Sequence, residues 1–160
     1  MPTFWRLYDG ATTGLLALTG VGMFAVIIVN AVLRYFFATP LVWAEEIARY
    51  CMIWGTLLGV ALGYRAGAHV AITLLTDAVP RGVLTAFRLV CHVLVLLVAA
   101  LLWRSGGALA SLLGMIEAPS SGIGMIWIYA AIPAGAALLA IEALRHLVAD
   151  IGGLVRRVAP

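Results

Sequence analysis

The sequence predicts an all-α integral membrane protein: four transmembrane helices, with a short interfacial segment between the second and third. Three observations lead there. Hydrophobic residues make up 64% of the 160-residue chain and charged residues only 11%, with a mean hydropathy of +1.11; a soluble domain usually has about a quarter of its residues charged. Apolar runs long enough to cross a bilayer recur along the chain, each needing about 20 residues at ~1.5 Å per residue. The 10 basic residues are all arginines, mostly placed near the ends of these runs. That is the pattern of a membrane topology signal, not of a nucleic-acid surface. The expected organisation is one membrane domain over residues 1–160, with spans at about 10–34, 41–64, 83–104 and 118–143. Membrane lipids are expected partners, and nucleic acid is not.

Residues 10–33 contain no charge, and no convincing cleavage site follows, so this run reads as a retained first helix. "FFATP" interrupts it, and Thr39 and Pro40 suit the start of the second helix. That helix carries three charges near its beginning. The connector "RAGAHVAITLLTDAVPRG" is weakly polar, and residues 70–75 fit a short amphipathic piece lying along the interface. A third span follows, and "RSGGALASLLGMIEAPSSG" reads as its frayed end and a turn. The fourth run, 118–141, is again charge-free; Pro133 inside it fits a membrane helix, where a kink can be re-satisfied by neighbours.

The stretch "WAEEIARYCMIW" raises the functional question, because it sets Glu45, Glu46 and Arg49 into a span. Glu45 and Arg49 are four apart and Glu46 and Arg49 three apart, so all three share one helical face. Arg34, just after the first helix, is within reach across the short connection, and Asn30 lies one turn before it. Charges near lipid are costly. The spacing therefore predicts either that Glu45 or Glu46 pairs with Arg49 and Arg34, or that these charges make a polar contact to a partner or line a substrate path. The other side of the helix, Trp43, Ile47, Tyr50, Trp54 and Leu58, is apolar and suits lipid or a large membrane partner. Gly55, Gly59 and Gly63, continued by Gly67, recur every four residues, a GxxxG series that allows close helix approach.

Little here resembles catalysis. No HExxH, GxSxG or phosphate loop is present, and Cys51 and Cys91 stand alone in apolar segments. His69, His92 and His146 sit in different segments, which disfavours a haem pair. No cofactor, no metal and no enzymatic activity are expected. The alternative of a membrane anchor for a redox enzyme rests on those histidines alone.

The ordered set Asn30-x-x-x-Arg34-Tyr35, Trp43-Ala-Glu45-Glu46-x-x-Arg49, Trp54, Gly59, Arg65 and Gly67-x-His69-Val70 resembles one family, as does the later "IWIYAAIPAG". It is similar to the small membrane (DctQ-like) subunit of tripartite ATP-independent periplasmic (TRAP) transporters, over about Leu15 to Ile141. It departs from that family at Ala71 and Thr73, where an acidic and a basic residue often stand. The resemblance implies a small permease subunit that scaffolds a large permease subunit as a heterodimer. It implies ion-gradient-driven uptake, commonly with sodium, of an organic acid delivered by a periplasmic solute-binding protein. The partner or scaffold contacts would then fall on Asn30, Arg34, Trp43, Glu45, Glu46, Arg49, Trp54, Gly55, Gly59, Gly63, Arg65 and His69. The implied location is the bacterial inner membrane. Arginine bias puts both termini in the cytoplasm, with Arg6, Arg65, Arg81, Arg145, Arg156 and Arg157 inside and Arg34, Arg49 and Arg104 outside.

Overall fold

The computed structural model describes residues 3–67 and 81–158. The helices are α1 (Thr3–Phe37), α2 (Ala44–Arg65), α3 (Arg81–Leu113), the short α4 (Met125–Tyr129) and α5 (Ala131–Val158). Four helical stretches are long and apolar enough to cross a membrane, the last formed by α4 and α5 together. The protein is an all-α, multi-pass membrane protein. The proposed interfacial segment 70–75 and His69 lie outside the described residues.

Neighbouring helices form a row. α1 lies against α2, α2 against α5, and α5 against α3, while α4 bridges α3, α5 and α2. The core is built from small side chains: Ala61, Ala99 and Ala143 are almost fully buried, with Tyr64 and Leu139 around them. Close backbone approach, not bulk, holds such a bundle. A Cβ on Gly135 would stand 2.7 Å from Cβ of Leu57, and one on Gly106 would stand 2.8 Å from Cβ of Ile132. These glycines set the α5–α2 and α3–α5 crossings. α1 is the exception, since the window that makes it a membrane-span candidate has no buried residue.

Several helix ends differ from the expected spans; the fourth, expected from 118, begins at Met125 after a turn. α1 continues to Phe37 and stops where Ala38 takes φ 53°, a left-handed conformation unusual for alanine. The Thr39 amide then donates back to the Leu33 carbonyl at 3.2 Å, which satisfies one of the carbonyls left free at the helix end. Thr39 and Pro40 do not open α2; a turn at Leu41–Trp43 precedes its first residue, Ala44. α3 runs on through Arg104 to Leu113, where a frayed end was expected. In the fourth span the helix breaks between Tyr129 and Ala131. Pro133 has no N–H to give to the carbonyl four residues back, which is that of Tyr129, and its ring crowds the same group.

Candidate functional site: two polar ends of the bundle

The start of α1, the end of α2 and the second half of α5 meet in one polar network. Arg65 Nη1 lies 2.9 Å from Asp9 Oδ1 and 3.8 Å from Glu142 Oε1. Arg145 Nη1 lies 3.1 Å from both Asp9 Oδ1 and Glu142 Oε2. Arg65 also donates to the hydroxyls of Thr12 and Thr13, and Thr12 passes its own proton to the Tyr8 carbonyl at 2.9 Å. The Arg145 guanidinium is stacked 4.2 Å from the Trp5 ring centre. Glu142 is 1% exposed, so its charge is tolerable only because two guanidinium groups answer it. Two arginines against two carboxylates leave the network neutral.

A second polar chain lies beside it. Tyr64 of α2 hydrogen-bonds His92 Nδ1, and His92 Nε2 lies 3.2 Å from Asp150 Oδ2. The His146 ring is stacked on His92 with centroids 5.9 Å apart. The sequence puts these two histidines in different segments; the structure brings them together. Both ring nitrogens of His92 are engaged inside the chain, which leaves none for axial ligation of a haem iron. That geometry speaks against His92 as a haem ligand and gives the redox-anchor reading no support.

The charged turn at the other end is arranged differently. Among the described residues, no ion pair joins Glu45 or Glu46 to Arg34 or Arg49. Glu46 instead accepts the Ser121 backbone N–H at 2.7 Å. That amide is delivered by the tight 118–124 turn, where Gly122 takes φ 67° and Glu117 bridges Gly124. Glu45 and Glu46 also occupy the first turn of α2, where the helix dipole favours negative charge. Glu45 and Arg49 are exposed, and so is Arg34, whose guanidinium sits 5.9 Å from the Tyr35 ring centre. Asn30 fixes the α1–α2 connection by accepting the Leu41 N–H at 2.8 Å. With Arg34, Tyr35 and Glu45 it lines an open cleft of about 230 Å³.

The remaining predicted positions divide. Trp54 donates its indole N–H to the Trp127 carbonyl at 3.2 Å, and Leu58 is 1% exposed, so part of the face assigned to lipid or a partner packs within the chain. Trp43 is exposed. Gly55 and Gly59 face Thr19 and Leu16 of α1, while a Cβ on Gly63 would meet nothing within 4 Å. Arg65, picked by resemblance, proves central to the ion network. Asp9, Glu142 and Arg145 were missed as a group. Their signal was faint: isolated charges at the edges of charge-free runs.

Four helices able to span a membrane and a neutral charge network between them fit an integral membrane protein, and sequence comparison names the family. The sequence profile of the tripartite ATP-independent periplasmic transporters, DctQ component, matches residues 23–153. The chain belongs to this family. It is 28% identical over 126 residues to a TRAP transporter small permease protein of Haemophilus influenzae, covering 79% of this chain and 76% of that one. A second such protein from the same organism is 38% identical over 58 residues, 36% of each chain. A sialic acid TRAP transporter permease protein of H. influenzae is 27% identical over 119 residues, which is 74% of this chain but 19% of that much longer one. The matched description is of one component of a tripartite transporter.

Proposed function

We propose that this protein is the scaffolding small permease of a TRAP-type secondary transporter in the bacterial inner membrane, both termini cytoplasmic. It holds a large permease subunit that takes up an organic acid from a periplasmic binding protein, driven by an ion gradient. The carrying observation is the DctQ match across residues 23–153 on a four-span fold. The geometry supports a scaffold more than a transport path. The buried carboxylate, Glu142, is locked between Arg65 and Arg145, so it binds helices together and is not free to take up and release cargo. An organic acid is favoured because the longer relative is named for sialic acid. The charges left exposed at the Glu46 end, Arg34, Glu45 and Arg49, then belong to the periplasmic side, where the binding protein docks.

The test is reconstitution. This chain, its large permease and the binding protein are placed in proteoliposomes under a sodium or proton gradient, with labelled organic anions supplied outside. Gradient-dependent uptake that disappears when this chain is left out supports the proposal. Uptake of equal rate without it removes the scaffold role.

A further inference from the structure

We infer that Arg104, on the outward face of α3, is the seat of the contact with the large permease, and that it receives an acidic side chain from a membrane helix of that partner. This rests on the scaffold reading above.

The argument begins with depth. Glu46 and Arg65 are about 29 Å apart along α2 at 1.5 Å per residue, close to the ~30 Å hydrocarbon thickness of a bilayer. They mark two boundaries. Tyr64, next to Arg65, hydrogen-bonds His92 on α3, and Arg104 lies about 18 Å further along that helix. A second register agrees. Gly106 packs on Ile132, and Gly135 packs on Leu57; α2 and α5 run in the same direction, so Ile132 stands level with Trp54. Trp54 is about 12 Å in from Glu46, and Arg104 is two residues deeper than Gly106. Both routes put Arg104 near the middle of the span, not at its end as the sequence boundary at 104 implied.

Its surroundings offer nothing for the charge. Arg104 is exposed, and among the described residues it has no ion pair or hydrogen bond. Leu101 and Trp103 beside it are 57% and 56% exposed. The boundary it would most easily reach lies the wrong way, because Cα–Cβ bonds tilt toward the helix N-terminus, here away from the Glu46 end. Ionisable residues at such depth face protein and a partner charge. Ala100, Gly107, Ala108 and Ser111 are also exposed and small, which lets a partner backbone come near the guanidinium.

The experiment uses the complex of this chain and its large permease, purified from native membranes in mild detergent. A photo-crosslinking residue replaces Leu101 or Ala108, one turn to either side of Arg104, with Phe24 on α1 as control. The expected result is crosslinking to the large permease from both α3 positions, far above the control, onto a segment with an Asp or Glu within one turn. Arg104→Leu is expected to lower the recovered permease about tenfold or more, the loss of one charge-assisted hydrogen bond. Arg104→Lys is expected to retain part of it. Insertion of each variant is checked by its own yield in the membrane. If the wild-type pair is recovered but the α3 positions crosslink to lipid alone, or Arg104→Leu binds permease normally, the inference is overturned and the scaffold reading survives. If the wild-type chain recovers no permease, both fall.

Discussion

At the Arg65 end of the bundle, Asp9 touches Arg65 and Arg145, and Glu142 touches the same two guanidinium groups. At the Glu46 end, Glu46 is held by the Ser121 amide, while Arg34, Glu45 and Arg49 remain exposed. The two ends have similar charges and opposite fates. Where three helices converge, Glu142 is buried and its charge must be answered inside the chain. Where one helix start meets a turn, the charges stay at the surface and are free to answer something else. The network has a further consequence for α1. Among the described residues its backbone packs on α2 alone, and Asp9 and Trp5 supply its reach to α5 through Arg145. One end of the molecule is therefore a lock, and the other an open face.

Breaking the lock should give the largest effect. Glu142→Leu strands Arg65 and Arg145, and removing one member of a buried ion set costs about 3–5 kcal/mol. The expected result is a strong fall in thermal stability of the detergent-solubilised chain and poor recovery from membranes. A variant as heat-stable as wild type would mean that water reaches Glu142 freely.

Next comes the packing that brings the two ends into register. Gly135→Leu drives a side chain into Leu57, and overpacking of this kind costs about 1–3 kcal/mol. Gly63→Leu meets open space in the isolated chain and should leave its stability unchanged. Thermal melting of the two variants side by side reads the difference. If Gly63→Leu instead weakens only the complex with the permease, the glycine series expected from sequence belongs to the partner.

A smaller effect is expected at the clamp. Glu46→Gln keeps the shape but weakens acceptance of the Ser121 N–H, so hydrogen exchange at that amide should accelerate while global stability barely moves. Unchanged exchange would show that the 118–124 turn holds itself.

The smallest effect in the isolated chain is expected from Arg49→Ala and Glu45→Ala, each within about ±0.5 kcal/mol, as for other surface changes. A double-mutant cycle between Arg49 and Glu46 should give coupling near zero there. Appreciable coupling would restore the ion pair that helical spacing suggested. Loss of uptake in the assembled transporter with unchanged melting would place the exposed charges at a docking surface.

Most of the architecture was legible because the bilayer imposes a coarse rule. Spans must be long and apolar, and the chain's four apolar runs obey it. "WAEEIARYCMIW" was legible as unusual, yet its partner was not. Glu46 lies three residues from Arg49, but it accepts an amide from Ser121, far away in sequence. Helical spacing shows which groups are able to meet, not which competitor is nearer. The helix boundaries at 104 and 118 misled for a related reason. Arg104 looked like a span end because a charge was assumed to mark the interface, while α3 continues to Leu113.

The sequence by itself determined the number and character of the spans, the family pattern from Asn30 to the Pro133 region, and the bias of arginines between the two sides. Those properties are sums over local residues, and transfer into lipid depends on such sums. Only the tertiary structure decided that Asp9, Arg65, Glu142 and Arg145 form one neutral network, and that His92 and His146 stack. It also decided that Gly106 and Gly135, not Gly63, set close crossings, and that α3 continues past Arg104 to Leu113. The network, the stack and the crossings depend on the relative height and rotation of helices distant in sequence. Those are fixed by which small residues let backbones touch, and hydropathy carries no record of that.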